Sequence, residues 1–352
     1  MTEDTINKAQ QEIEDNANKS LVTINHSTNQ KGEHTEVPEE ELIKADGELT
    51  ADMDPETTTT IDLIHCRIRS LEALNLYRFY KLVALNLRTN LIQSISEVEV
   101  LPAATIEELD FYDNRIKHIS HNIKKLTNLK NLDLSFNRIK HLKNIAGLTN
   151  LENLYLVANE IETIEDNALV NLPKLTNLEL GGNSLHKIQG LSALPSLEEL
   201  WLGKNSIRRL ENLQYLQNLR ILSIQSNKLK KIQGLEQLSN LEELYLSHNF
   251  IEKIENLDKN LKLTTLDVTS NKLTRLENLS HLTELTDLWL SYNKIDMTFE
   301  EINKEIGHLN KLETIYLEGN PIQLKNPTSY RRKLILNLGT SLEKIDATYI
   351  KS

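Results

Sequence analysis

One asparagine spacing constrains this chain more than any other feature. Asn90, Asn114, Asn137, Asn159, Asn183, Asn205, Asn227, Asn249, Asn271, Asn293 and Asn320 each close an L-x-L-x-x-N segment or an apolar variant of it, at steps of 24, 23, 22, 24, 22, 22, 22, 22, 22 and 27 residues. A unit of this size cannot bury its apolar set alone, so stacked neighbours must share one continuous core. The chain is therefore read as a solenoid.

The most regular unit, Asn227 to His248 (NKLKKIQGLEQLSNLEELYLSH), shows how each coil is made. Its L-x-L part alternates at period two and reads as a short strand, while the apolar residues three apart before it suit a tight 3₁₀ or short helical return. This is the leucine-rich repeat. The fold class read from it is an α/β leucine-rich-repeat solenoid, with a curved parallel sheet on the concave face, 3₁₀ or short helices on the convex face, about twelve repeats and a C-terminal cap. The first coil, TIDLIHCRIRSLEAL, carries Cys66 where Asn is expected, 24 residues before Asn90. At the other end, MTFEEINKEIGHLNKL is long enough for a helix. The chain then leaves the period in a segment whose Tyr330, Leu334 and Leu338, four residues apart, fit an amphipathic capping helix. The ladder asparagines are read as structural, their amides satisfying backbone groups at the bend.

Charge is distributed unevenly. Residues 1–60 hold 15 Asp/Glu against 4 Lys/Arg and so carry the whole net charge of −11, leaving 36 residues of each sign beyond them. That opening stretch has no Phe, Trp or Tyr, too little apolar surface to offset chain entropy. The expected organisation is a disordered acidic tail over 1–57, a repeat array over 58–320 and a cap over 321–352. A single cysteine excludes an internal disulfide. The start lacks the apolar core of a signal peptide and no stretch is apolar enough for a membrane span, so an intracellular chain without membrane contact is expected.

In each strand the leucines point inward and the residues between them outward. The position four before each ladder residue is therefore a column on the concave face. It reads Asp62, Asn86, Asp110, Asp133, Tyr155, Glu179, Trp201, Ser223, Tyr245, Asp267, Trp289, Tyr316, with five acids, five aromatics and no base. The position six before adds Glu108, Glu199, Glu243 and Asp287, again with no Lys or Arg. Cross-strand aromatic pairing could account for part of this. Both tryptophans of the chain fall in the column, however, and Trp and Tyr are the usual anchors of protein interfaces. A strip of roughly 50 Å, from strands ~4.8 Å apart, suits a globular protein with basic and apolar features. Nucleic acid is disfavoured because the strip has the sign of phosphate. No GxSxG, GxxxxGK[ST], HExxH or CxxC is present, and His118 and His121 lack further ligands. No enzyme, metal or cofactor is expected.

The chain resembles the leucine-rich-repeat regulatory subunits of protein phosphatase 1, the regulatory subunit 7 family. The likeness rests on the order of the coils over residues 58–352, on segments such as ELDFYDNRIKHI, LDLSFN, LGKN, LYLSHN and SHLTEL, and on the ending YLEGNP, YRRK and IDATYI. It implies a non-catalytic subunit of nucleus and cytoplasm with mitotic and phosphatase-maturation roles, holding the phosphatase catalytic subunit in its concave face. A third regulatory protein stays open, and the free chain is expected to be monomeric. Matching positions for the contacts are Asp133, Tyr155, Glu179, Trp201, Asp267, Asp287, Trp289 and Tyr316, to which the column adds Tyr245. Tyr155 and Trp201 stand where many members have Phe, Asp287 where they have Glu, and Gly339 and Thr340 where the cap commonly has Pro. Arg115-Ile116-Lys117-His118 lacks the aromatic of the short phosphatase-docking motif, so docking is expected to use the folded surface. The alternative is a scaffold of a ribonucleoprotein or a microtubule-linked complex.

Overall fold

The computed structural model describes residues 46–339 and 341–350. Strands β1 (Thr60–Asp62) to β12 (Thr314–Tyr316) are three residues long, lie in chain order and pair in parallel. Strand β13 (Lys344–Ile345) continues them, and β14 (Thr348–Tyr349) turns back antiparallel. This is the expected leucine-rich-repeat solenoid. The middle residue of each strand faces the core, as with Leu154, Leu200, Leu244 and Leu288, all at 0% exposure, and the buried set forms one cluster from Ile61 to Ile345.

The ladder asparagines close the bend between coils. Asn159 donates from Nδ2 to Leu134 O (2.9 Å) and Leu156 O (3.2 Å), and its Oδ1 accepts from the Ile139 N–H (2.9 Å). One amide thus satisfies groups of two coils that would otherwise each cost ~1–3 kcal/mol when buried unpaired. The geometry demands a left-handed residue just before the Asn: Phe136, Lys204, His248 and Tyr292 have φ of 53°, 52°, 55° and 56°. At the first coil, where Cys66 replaces Asn, the Oδ1 of Asn90 accepts from both Cys66 N and Ile68 N (3.0 Å each).

Two expectations change. The 22-residue coils contain no helix among the described residues. Their returns are isolated turns, such as Leu216 N–H to Leu213 O and Leu219 N–H to Leu216 O (3.0 Å each), whose donors lie too far apart to overlap as a 3₁₀ helix requires. Helical returns occur at Glu72–Leu74 and Leu76–Arg78, Ser96–Val100, His121–Lys125 and Phe299–Ile306. The second change is at the N-terminus. Residues 1–45 of the stretch read as a tail lie outside the described residues, but 46–57 cover the first coil. Thr50 Oγ1 donates to Leu74 O (2.9 Å), Asp46 Oδ2 accepts from Arg69 N (3.0 Å), and Arg78 Nη2 donates to Thr50 O (2.8 Å) and Met53 O (2.7 Å). Composition pointed the other way because these turns use polar side chains to satisfy backbone.

The C-terminal helix Tyr330–Leu338 covers the last coil with Tyr330, Leu334 and Leu338 at 5%, 0% and 3% exposure. Arg331 of the same helix donates to Ile345 O (3.0 Å), Thr348 O (3.0 Å) and Tyr349 O (2.6 Å), fastening the terminal strands. Asp346 Oδ1 accepts from Leu317 N and Glu318 N (2.9 and 3.0 Å). Gly339 ends the helix at φ 83°, a value closed to a proline ring. Thr340 lies outside the described residues.

Candidate functional site: the open face of the sheet

The column four before each ladder residue forms an unbroken register row. Asp133 is opposite Tyr155, Tyr155 opposite Glu179, Glu179 opposite Trp201, Trp201 opposite Ser223, and so on through Tyr245, Asp267, Trp289 and Tyr316. All nine residues singled out in the sequence lie on the outward face, with Asp287 beside Trp289 at the first position of its strand.

The row is not uniformly exposed. Trp201 and Tyr245 are two strands apart, which would place upright rings ~9.6 Å from each other. Their centroids are instead 6.3 Å apart in a stacked arrangement, because both rings lean over the short Ser223 between them. Tyr245 and Trp289 approach in the same way to 6.1 Å over Asp267, and Trp289 meets Tyr316 edge-on at 6.1 Å. Ser223 and Asp267 are left only 4% exposed beneath the rings. Asp267 Oδ1 accepts from Thr269 N (2.9 Å), while burial pushes its carboxyl above the usual carboxylate range. It supports the row more than it presents charge.

Carboxylates orient two of the rings. Trp201 Nε1 donates to Glu199 Oε2 (3.3 Å) and Tyr245 Oη to Glu243 Oε2 (2.6 Å). The Nε1 of Trp289 is buried without an acceptor among the described residues. Asp287 Oδ2 accepts from Thr286 Oγ1 (2.8 Å).

At the N-terminal end a residue missed in the sequence enters the row. Arg88 stands two before Asn90, yet its Nη1 lies 2.8 Å from Asp110 Oδ2 and 3.7 Å from Asp133 Oδ2. Its guanidinium also covers the Tyr112 ring at 4.0 Å, and Tyr112 packs on Phe136 at 4.8 Å. At the far end Lys344 Nζ sits 5.3 Å from the Tyr316 ring. The column itself contains no base, but bases reach it from both ends. Between them Glu179 is half-buried and has no hydrogen-bond or cationic partner among the described residues. Burial first, then the nearby Asp133 and Glu199 carboxylates, raise its pKa.

Comparison with known proteins agrees with this architecture. A family model described as leucine rich repeat matches residues 127–185 and 149–207, and one described as two copies of leucine rich repeats matches 217–259. The chain is 62% identical over 333 residues, 88% of its length and 92% of the relative's, to the protein phosphatase 1 regulatory subunit SDS22 of Saccharomyces cerevisiae. It is 53% identical over 53 residues, 15% of its length and 16% of the relative's, to the protein of the same title from Schizosaccharomyces pombe. Among solved structures, an internalin from Listeria monocytogenes superposes with a TM-score of 0.71 at 22% identity over 89% of both chains, a likeness of fold alone. A leucine-rich-repeat protein of Leptospira interrogans gives a TM-score of 0.60 at 27% identity over 76% of this chain and 73% of that one.

Proposed function

The chain belongs to the family of protein phosphatase 1 regulatory subunits that includes SDS22, and from that premise we propose that it binds the phosphatase catalytic subunit through the open, concave face of its sheet. As a member of that family on a leucine-rich-repeat scaffold, it is a regulatory component and not a catalytic enzyme.

The observation that carries the proposal is the half-buried Glu179 carboxylate between Tyr155 and Trp201, without a cation to answer it among the described residues. Taking a carboxylate partly out of water without a partner costs stability, and a basic group of a bound protein would recover that cost. The leaning rings from Trp201 to Tyr316 form a continuous apolar ridge beside it, suited to an apolar surface on the same partner. Acid and ridge together fit a folded protein better than a short peptide.

Calorimetric titration of the catalytic subunit tests this. Trp201→Ala and Trp289→Ala should each weaken binding by more than ~2 kcal/mol, and unchanged affinity in both would remove the proposal. Truncation of residues 1–45, which keeps Asp46 and Thr50 on the first coil, should leave the affinity as it is.

A further inference from the structure

The loops that follow the ladder asparagines carry charge of the opposite sign. After Asn183, Asn205 and Asn227 the residues one, three and four positions on are Ser184, His186, Lys187; Ser206, Arg208, Arg209; and Lys228, Lys230, Lys231, all exposed except the half-buried Ser206. The residue two positions on, such as Ile207 or Leu229, is fully buried, so its neighbours must project outward. Arg208, Arg209, Lys228, Lys230 and Lys231 make no ion pair among the described residues, although Lys140 and Lys253 on other coils do. Arg208, Lys228, Lys230 and Phe250, drawn from three successive coils, line one open depression of about 500 Å³. Phe250 is 43% exposed and Lys272 Nζ lies 4.9 Å from its ring.

The geometry points to this depression as a docking site for an acidic polypeptide segment that carries an apolar side chain. Unpaired cations converging on an exposed ring supply both halves of that recognition, charge for the carboxylates and an apolar surface for the anchor. The length of the basic window argues against nucleic acid. It is flanked by Glu160 and Glu162 on one side and Glu252 on the other, so a phosphodiester backbone running along the coils would meet carboxylates within a few phosphates. The site lies beyond the bend, off the sheet face, and does not depend on what that face binds.

Fluorescence anisotropy with a labelled synthetic peptide of glutamates flanking a single phenylalanine tests the assignment. The full chain should bind it in a salt-sensitive way. Arg208→Glu/Lys228→Glu/Lys230→Glu should weaken binding by about tenfold or more and Phe250→Ala by a smaller factor. The matched reversal Lys117→Glu/Arg138→Glu/Lys143→Glu should leave it near the native value. Circular dichroism verifies that each variant is folded. Saturating phosphatase catalytic subunit should not displace the peptide, and the triple variant should still bind that subunit, which separates failure here from failure of the concave-face reading. An equal loss in the matched reversal, no binding by the native chain, or tighter binding of an oligothymidylate of equal charge would overturn the proposal.

Discussion

The two ends of the outward row share one register and reach opposite electrostatic states. From Asp110 to Asp133 the carboxylates are answered from within the chain, since Arg88 bridges both while stacking on Tyr112. From Trp201 to Tyr316 the rings close over Ser223 and Asp267, so the exposed surface is apolar and the acid there is buried. Between them, the Glu179 carboxylate is half-buried with no hydrogen-bond or cationic partner among the described residues. The type of residue in the row therefore does not decide its availability. That is decided by a side chain reaching over from another position of the repeat, or by rings two strands apart.

The largest expected effect separates the two ends in binding. Trp289→Ala should cost more than ~2 kcal/mol toward the phosphatase catalytic subunit, as an anchor of the ridge. Asp110→Ala should cost under ~0.5 kcal/mol, because its charge is already paired and a partly exposed pair is worth little. Equal losses in calorimetry would erase the distinction. Arg88→Ala comes next. Side-chain exposures of 26% for Asp110 and 20% for Asp133 make the loss of their shared cation a matter of about 1 kcal/mol in urea unfolding. The same change should tighten binding of a basic partner by a few fold, since two carboxylates are released. Weaker binding instead would mean that Arg88 itself touches the partner.

Much of this was legible in the sequence, and the rest was hidden for identifiable reasons. The ladder and the outward row follow from two periods, 22 residues along the chain and two along a strand, and both persist into the structure. The capping helix was legible through Tyr330, Leu334 and Leu338 for the same reason. Arg88 was not, because its position holds Ser135, Gly181, Gly203 or Ser247 in other coils and its contact crosses to the next coils. Burial of Asp267 was not, because it depends on rings from strands on either side. The cover formed by residues 46–57 was missed because its contacts are hydrogen bonds made by Asp46, Thr50 and Arg78, which apolar patterning does not register.

The smallest expected effect probes the middle of the row through pH. Glu179 and Asp133 both have folded-state pKa values raised, chiefly by burial. The folded chain therefore takes up these protons more readily than the unfolded one. Their charged forms cost stability once the pH rises through the raised range, and the cost disappears as the pH falls through it. A basic partner inverts this preference at Glu179, since it favours the carboxylate and releases the proton. Affinity for the catalytic subunit should accordingly fall as the pH is lowered from neutrality into the raised range. Glu179→Gln should bind more weakly at neutral pH, by a few fold, and show a flatter dependence over the same interval. Asp133, held near Arg88, should contribute less to the slope. Parallel pH profiles for the native chain and Glu179→Gln would show that no cation meets this carboxylate in the complex, and would shift the binding energy onto the aromatic ridge alone.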